Sequence, residues 1–294
     1  MARYLTAIPG SVTLLQLLDW GSMCSRVAAS FLLCLSVLQF PLSGQQSATT
    51  PAATIQRDPQ AITLVQQSLA AMGTAQALLL GDSVATGQAQ IFKPDGTSAT
   101  FPITKKSIGT TMVRTELQRP EGTQVRVMNG GAAAIQMASG SIRPLVANNT
   151  MAERVEHIPA LSILCEWGDT NMELVYLGAD TVNGQAADVV SVSQIPANAQ
   201  DSSFWRSMTQ TLFYIDRSTK FVSKVQYQKV AENNTNLSEK VEIFFSNYRA
   251  VSGVFVPFQY STYSDGRLLT TVAFSSVSFN TGLAATDFNL PVAN

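Results

Sequence analysis

Charge and histidine are both scarce in this chain. Of its 294 residues, 13% are Asp, Glu, Lys or Arg, about half the ~25% usual in globular proteins. Nineteen basic and 20 acidic side chains leave a net charge of −1. There is no basic excess to neutralise phosphates, so nucleic acid is not an expected partner. The one histidine, His157, excludes a multi-histidine metal site and most histidine-based acid–base schemes. It reads as a surface or packed side chain. The sequence also lacks a G-x-S-x-G elbow, a P-loop, an H-E-x-x-H helix and a C-x-x-C pair. The expectation is a protein that is not an enzyme and takes no cofactor and no metal. Apolar residues still make up 46% of the chain, enough for a sizeable core and too many for general disorder.

Long hydrophobic runs are missing too. The most apolar stretch, Val27–Phe40, falls short of the roughly 20 residues that cross a bilayer. Arg26 precedes it, and Pro41, small residues and Gln45-Gln46-Ser47-Ala48 follow. A charged start, an apolar middle and a small-residue exit make a secretory signal. Cleavage is expected near Gly44 to Ala48, with Met23 as an alternative start, and residues 49–57 as a flexible leader. Cys24 and Cys34 leave with the signal and Cys165 stays, so the mature chain has no internal disulfide. Leu164, Glu166 and Trp167 offer Cys165 no cationic neighbour that would lower its thiol pKa. It reads as a small core hydrophobe.

One helix is plain. Asp58 suits an N-cap, Pro59 the first helical position, and Gly73 the residue past the end. Between them Ile62, Val65, Leu69 and Met72 recur at helical spacing. The period then changes from 3.6 to 2. Alternating runs occupy 84–92, 98–106, 111–117, 124–129 and 132–138, then 172–177, 186–195, 211–215, 221–230, 237–248, 254–263 and 268–279. Turn signals such as Asn129-Gly130-Gly131, Asn183-Gly184 and Asp265-Gly266 separate them. Thr150-Met151-Ala152-Glu153 matches a capping box. Met151, Val155 and Ile158 follow it, then Pro159 and a second apolar group from Leu161 to Trp167. This reads as two short helices or one kinked helix against the sheet. Asp201–Met208 reads as a short helix or a loop with aromatic anchors. The sum is a mainly β (α+β) chain: one domain over 58–294, with a large curved antiparallel sheet of about eleven strands and helices on one face.

The strands carry the functional signal. Their apolar positions are Val113 and Leu117; Val125 and Val127; Ile135 and Met137; Phe221, Val225 and Tyr227; Ile243 and Phe245; Phe258 and Tyr260; Val272 and Phe274. Thr, Ser and Gln dominate the intervening positions. Two readings stay open. The face is an ordinary packed core, or helices cover it only in part and leave an apolar cavity for an acyl chain.

The segment TMVRTELQRPEGTQVRVMNGGAAAIQMASGSIRPL (111–145) resembles the periplasmic carriers of the LolA family of outer-membrane lipoprotein chaperones. So do Phe213-Tyr214-Ile215-Asp216, Asn247-Tyr248-Arg249 with Gly253-Val254-Phe255-Val256-Pro257, and the closing Phe288-Asn289-Leu290-Pro291. Ala132-Ala133-Ala134 stand where the family usually has an aromatic residue. The resemblance implies an incomplete β-barrel with lid helices over an apolar cavity. It also implies cargo in the form of lipid or lipoprotein acyl chains, membrane-bound donor and acceptor proteins, and the periplasm of a Gram-negative-type bacterium. Cavity candidates are Val113, Leu117, Val127, Ile135, Met137, Phe221, Val225, Ile243, Phe245, Phe258, Tyr260 and Phe274. Lid candidates are Ile62, Val65, Leu69, Val155 and Ile158. Arg114, on an early strand, is the candidate for the family's cavity arginine. The alternative is a protein-binding or envelope-sensing module with the same fold.

Overall fold

The computed structural model describes residues 55–73, 81–155, 162–231 and 234–291. The expected signal, His157 and Ile158 lie outside them. Helix α1 (Pro59–Met72) comes first. Six strands follow: β1 (Asp82–Phe92), β2 (Ser98–Ile108), β3 (Met112–Arg119), β4 (Gly122–Asn129), β5 (Ala132–Gln136) and β6 (Ile142–Pro144). Two short helices, α2 (Ala147–Glu153) and α3 (Ser162–Cys165), lead to β7 (Met172–Val182) and β8 (Gln185–Gln194). After α4 (Ser202–Thr209) come β9 (Thr211–Asp216), β10 (Val222–Ala231), β11 (Asn234–Val251), β12 (Val254–Ser264) and β13 (Arg267–Phe279). A single 3-10 turn, Ala285–Phe288, follows the last strand.

All 13 strands form one antiparallel sheet in the order β6-β5-β4-β3-β2-β1-β13-β12-β11-β10-β9-β8-β7. Two meanders, β1 to β6 and β7 to β13, meet at the β1–β13 seam. The outer strands β6 and β7 do not pair, so the sheet is an incomplete barrel. The count exceeds the eleven expected. Ile142–Pro144 has three residues, too few to display an alternation, and it pairs only with β5.

The seam depends on a close approach. At Gly87 the β1–β13 register shifts. A methyl group there would run into the Ala273 carbonyl oxygen and the Phe274 backbone. The hairpin between β12 and β13 turns at Asp265 and Gly266, both left-handed at φ 49° and 79°, which matches the twist of the flanking strands.

The free edges are blunted. Short β6 ends at Pro144, which cannot donate to a further strand. At β7, residues of the expected leader are instead held in place. Leu174 donates from N to the Gln56 carbonyl at 2.9 Å, and Asp58 N donates to Leu174 O at 2.8 Å. The Arg57 guanidinium binds the carbonyls of Trp167, Asp169 and Met172 at 2.6–2.8 Å. Gln56 and Arg57, part of the expected flexible leader, are thus fixed against β7.

Helix α1 forms as its sequence dictates. Asp58 accepts from Gln60 N at 2.8 Å, and Gly73 ends the helix at φ 90°. Helix α2 differs from expectation. It starts at Ala147, a turn earlier than the capping box placed it. Thr150 is thus inside the helix, and its hydroxyl donates to the Val146 carbonyl at 3.2 Å, a back-bond that satisfies it without any cap. Asp201–Met208 is helical. Asp201 caps α4 by accepting from Ser203 N and Phe204 N, and Phe204 is exposed rather than an anchor.

Candidate functional site

Strand register decides which side chains share the concave face. Ala85, Lys105, Thr115, Arg126 and Ile135 are successive cross-strand partners from β1 to β5. The adjacent row is Gly87, Ile103, Leu117 and Gln124. Ala85, Ile103 and Leu117 belong to the same core as the buried face of α1, so both rows point to the helix side. Two residues beyond Gly87 on the same face of β1, Ala89 pairs across the seam with Val272, which pairs with Tyr260.

Helix α1 fills one half of this face. Its Ala61, Val65, Leu69 and Met72 are buried among Val225, Ile243, Phe258 and Phe274, with Phe221, Phe245 and Tyr248 at the margin. Burying a large apolar side chain contributes about 1.5–3 kcal/mol, so the helix is anchored by several such terms. Ile62 is half-buried against the same core. Val155, just past α2, is buried there as well. Beside it, between β8–β10 and Arg154, Ile163 and Met208, a cavity of about 30 Å³ remains, room for about one water.

The other half holds a larger space of about 220 Å³. Its apolar wall is Ala89, Ile91, Ile103, Leu117, Tyr260, Leu269 and Val272. Its polar wall is Lys105, Thr115, Gln124, Arg126, Lys229, Thr262 and Thr270. The Lys105 ammonium nitrogen lies 5.2 Å from the centre of the Tyr260 ring. Lys229 faces Glu239 at 3.9 Å.

Of the twelve cavity candidates, Leu117 and Tyr260 line this space. Phe221, Val225, Ile243, Phe245, Phe258 and Phe274 lie in or against the α1 core. Ile135 is buried opposite Arg126 on the same face. Val113 joins a small cluster with Met128 and Ala133. Val127 points to the other face, where it is buried with Val125 and Phe288 of the C-terminal segment. Met137 lies beyond β5 and is 36% exposed. Arg114 is on the outer face with Val127, its cross-strand partner, and it pairs with Glu116 at 2.5 Å. Among the described residues, Arg126 is an arginine that lines the cavity. Its place, like that of Lys105, is readable as period 2 from Leu117 or Ile103 once the β3–β4 register is known. Without that register, a charge on a strand reads as solvent-facing.

Ion pairs hold the rim. Arg154 binds both carboxylate oxygens of Glu166 at 2.6 Å, the Gln194 Oε1 at 2.7 Å and the Thr110 carbonyl at 3.4 Å. It thereby ties the end of α2 to the β2–β3 turn and the end of β8. Arg206 of α4 makes a two-pronged pair with Glu173 of β7, at 2.8 Å on each arm. Burial works against ionising Glu173, but hydrogen bonds from Arg206 and Gln56 N outweigh it and keep the carboxyl below its usual range. Asp188 behaves alike: burial opposes its charge, while Arg217 and Tyr176 hold the carboxyl low. Among the described residues, no group of three His, Cys, Asp or Glu could hold a metal ion, and no helix is long and apolar enough to cross a membrane.

The architecture is thus an open antiparallel half-barrel whose concave face is part core and part cavity. No protein-family model matches the chain, and no curated protein matches its sequence. Solved structures do match. A DUF1329 family protein from Desulfovibrio piger aligns at 14% identity over 79% of this chain and 98% of that one, with a TM-score of 0.51. A LolA superfamily protein from Nitrosomonas europaea aligns at 12% identity over 76% and 97%, with a TM-score of 0.50. At such identities the likeness concerns the fold. The chain has the half-barrel fold of LolA-superfamily structures.

Proposed function

We propose that this protein is an exported carrier that shelters an acyl chain of a lipid or lipoprotein in the cavity between β1–β4 and β12–β13. The observation that carries this reading is the unequal filling of the concave face. Helix α1 occupies one half, while a space of about 220 Å³ stays open beside Ile103, Leu117 and Tyr260. Each buried CH₂ contributes about 0.8 kcal/mol, so an acyl tail binds there without any covalent link. The space is below the ~300–1,000 Å³ of common ligand pockets. Cargo with several chains therefore requires this space to widen. In this reading residues 1–48 are a signal removed near Gly44 to Ala48, residues from 58 onward form the single carrier domain, and the protein works in the periplasm between membrane-bound donor and acceptor proteins.

Native mass spectrometry of the protein purified from a bacterial envelope, with lipid extraction, tests the proposal. The expected result is about one co-purifying acylated molecule per chain, lost on Ile103→Asp or Leu117→Asp. A clean apo mass with no uptake of a fluorescent fatty acid would sink it. The same fold would then serve as a protein-binding or envelope-sensing module, a reading supported by the core residues that fill the α1 half.

A further inference from the structure

The open space and the filled half of the concave face meet along one row of residues. We infer that Tyr260 of that row is the end wall of the cavity, where the tip of a bound tail stops, so that this side chain sets the length of tail the protein accepts. The inference rests on the carrier reading and adds a length limit to it.

The inward residues of β12 and β13 show where the change falls. Along β12, Thr262 lines the space, Tyr260 lines it and also packs against the α1 core, and Phe258 is buried in that core. Along β13 the same steps are Thr270, Val272 and Phe274. Tyr260 pairs across strands with Val272, and Val272 pairs with Ala89 of β1, which likewise belongs both to the core and to the cavity wall. The boundary therefore runs through Ala89, Val272 and Tyr260, and Tyr260 is the large member of the row. On the core side its ring centre lies 5.9 Å from that of Phe274 and 6.4 Å from that of Phe245. The Lys105 ammonium, on the cavity wall, is 5.2 Å from the same ring centre. The ring thus stands between the space and the aromatic side chains behind it. Aromatic pairs in such tilted contact add to the stability that burial gives, so the wall is held from behind.

The space extends from that row to the strand ends. Ile91 is the penultimate residue of β1, and Leu269 is the third residue of β13. A tail that lies along Ile91, Ile103 and Leu117 runs inward toward the Tyr260 row. Each methylene placed on this path leaves water and contributes to binding. A methylene beyond the ring has no such place, because the core there is already packed and a packed core resists added volume. It stays in water and contributes nothing.

The test is a series of saturated fatty acids from octanoate to palmitate, each titrated calorimetrically into the delipidated protein. In the unaltered protein each added pair of methylenes should tighten binding about tenfold until the tail reaches the ring. Further lengthening should change little. Tyr260→Ala and Tyr260→Leu should carry the climb on to longer members of the series. Tyr260→Phe, which keeps the ring, should leave its end point where it was. Ala89→Leu, which extends into the space from the same row, should bring the end point forward. The shortest acid that binds the unaltered protein should bind the Tyr260 variants equally, which shows that the rest of their cavity is intact. The leucine variant keeps an apolar side chain against Phe274 and serves where the alanine variant does not fold. An end point that stays put in Tyr260→Leu or in Ala89→Leu would overturn the inference and leave the carrier reading standing. So would a climb that continues to palmitate in the unaltered protein. If no fatty acid binds, the carrier reading itself fails.

Discussion

Lys105 of β2 lays its ammonium 5.2 Å from the centre of the Tyr260 ring of β12. The two strands are three places apart in the sheet, with β1 and β13 between them. In a flat sheet that separation is about 14 Å, with both side chains perpendicular to the surface. The two side chains converge across the seam, over the space that both of them line.

The close approach at the seam makes Gly87 a sensitive position. A side chain there meets the Ala273 carbonyl across the seam. Gly87→Ala is expected to lower stability by about 2–4 kcal/mol, read from urea unfolding midpoints. A loss within about 0.5 kcal/mol, the size of a neutral surface change, would show that the seam relaxes freely.

Helix α1 is core. Leu69 is 2% exposed, and Leu69→Ala should cost about 2–5 kcal/mol, the range for emptying a packed site. A helix that swings away as a lid would show a much smaller loss, together with rapid amide exchange along Pro59–Met72.

Acid should destabilise the protein. Burial tends to raise Asp82, but hydrogen bonds from the Thr281 hydroxyl and from the backbone of Thr281, Gly282 and Leu283 prevail and hold it low. Glu173 and Asp188 are held low by their arginines. A lowered native pKa contributes stability that is complete above the unfolded value and lost as pH falls through the native one. Denaturation midpoints should be flat from neutrality to about pH 5 and then decline. Asp82→Asn should reduce that decline; an unchanged slope would mean that Asp82 is not tied to the C-terminal segment.

Cys165 should be slow to react. Burial, helped by the neighbouring charge of Glu166, pushes its thiol from 9.0 up to about 11. The thiolate is the reactive form. With Cys24 and Cys34 replaced by serine, labelling at pH 8 should be about a hundredfold slower in the native protein than in urea. Equal rates would place the thiol in water.

Much of the fold was legible. Asp58, Pro59 and Gly73 marked α1 because capping and left-handed turns depend on local chemistry. Twelve runs of alternation, summed as about eleven strands, each fall on a strand of the sheet. Ile142–Pro144 escaped because three residues show no period. The start of α2 escaped because Thr150 can bond backward within a helix as easily as it can cap one. The site was legible only in part. Leu117, Tyr260 and Arg126 line one space, whereas Val127 and Arg114, read as inward, lie on the other face. These errors have one cause. Alternation shows that neighbours point opposite ways, but it does not say which way is inward.

The sequence by itself determined the period of each segment, the turns between them and the shortage of charge, since these follow from local backbone preferences and from composition. Only the tertiary structure decided that Lys105, Arg126 and Lys229 face one space, and that α1 fills one half of the sheet and not the other. The reason is physical: which face of a strand is inward, and which side chains meet across the sheet, are set by cross-strand register and by the pairing at the β1–β13 seam, through contacts between residues as distant in the chain as Lys105 and Tyr260.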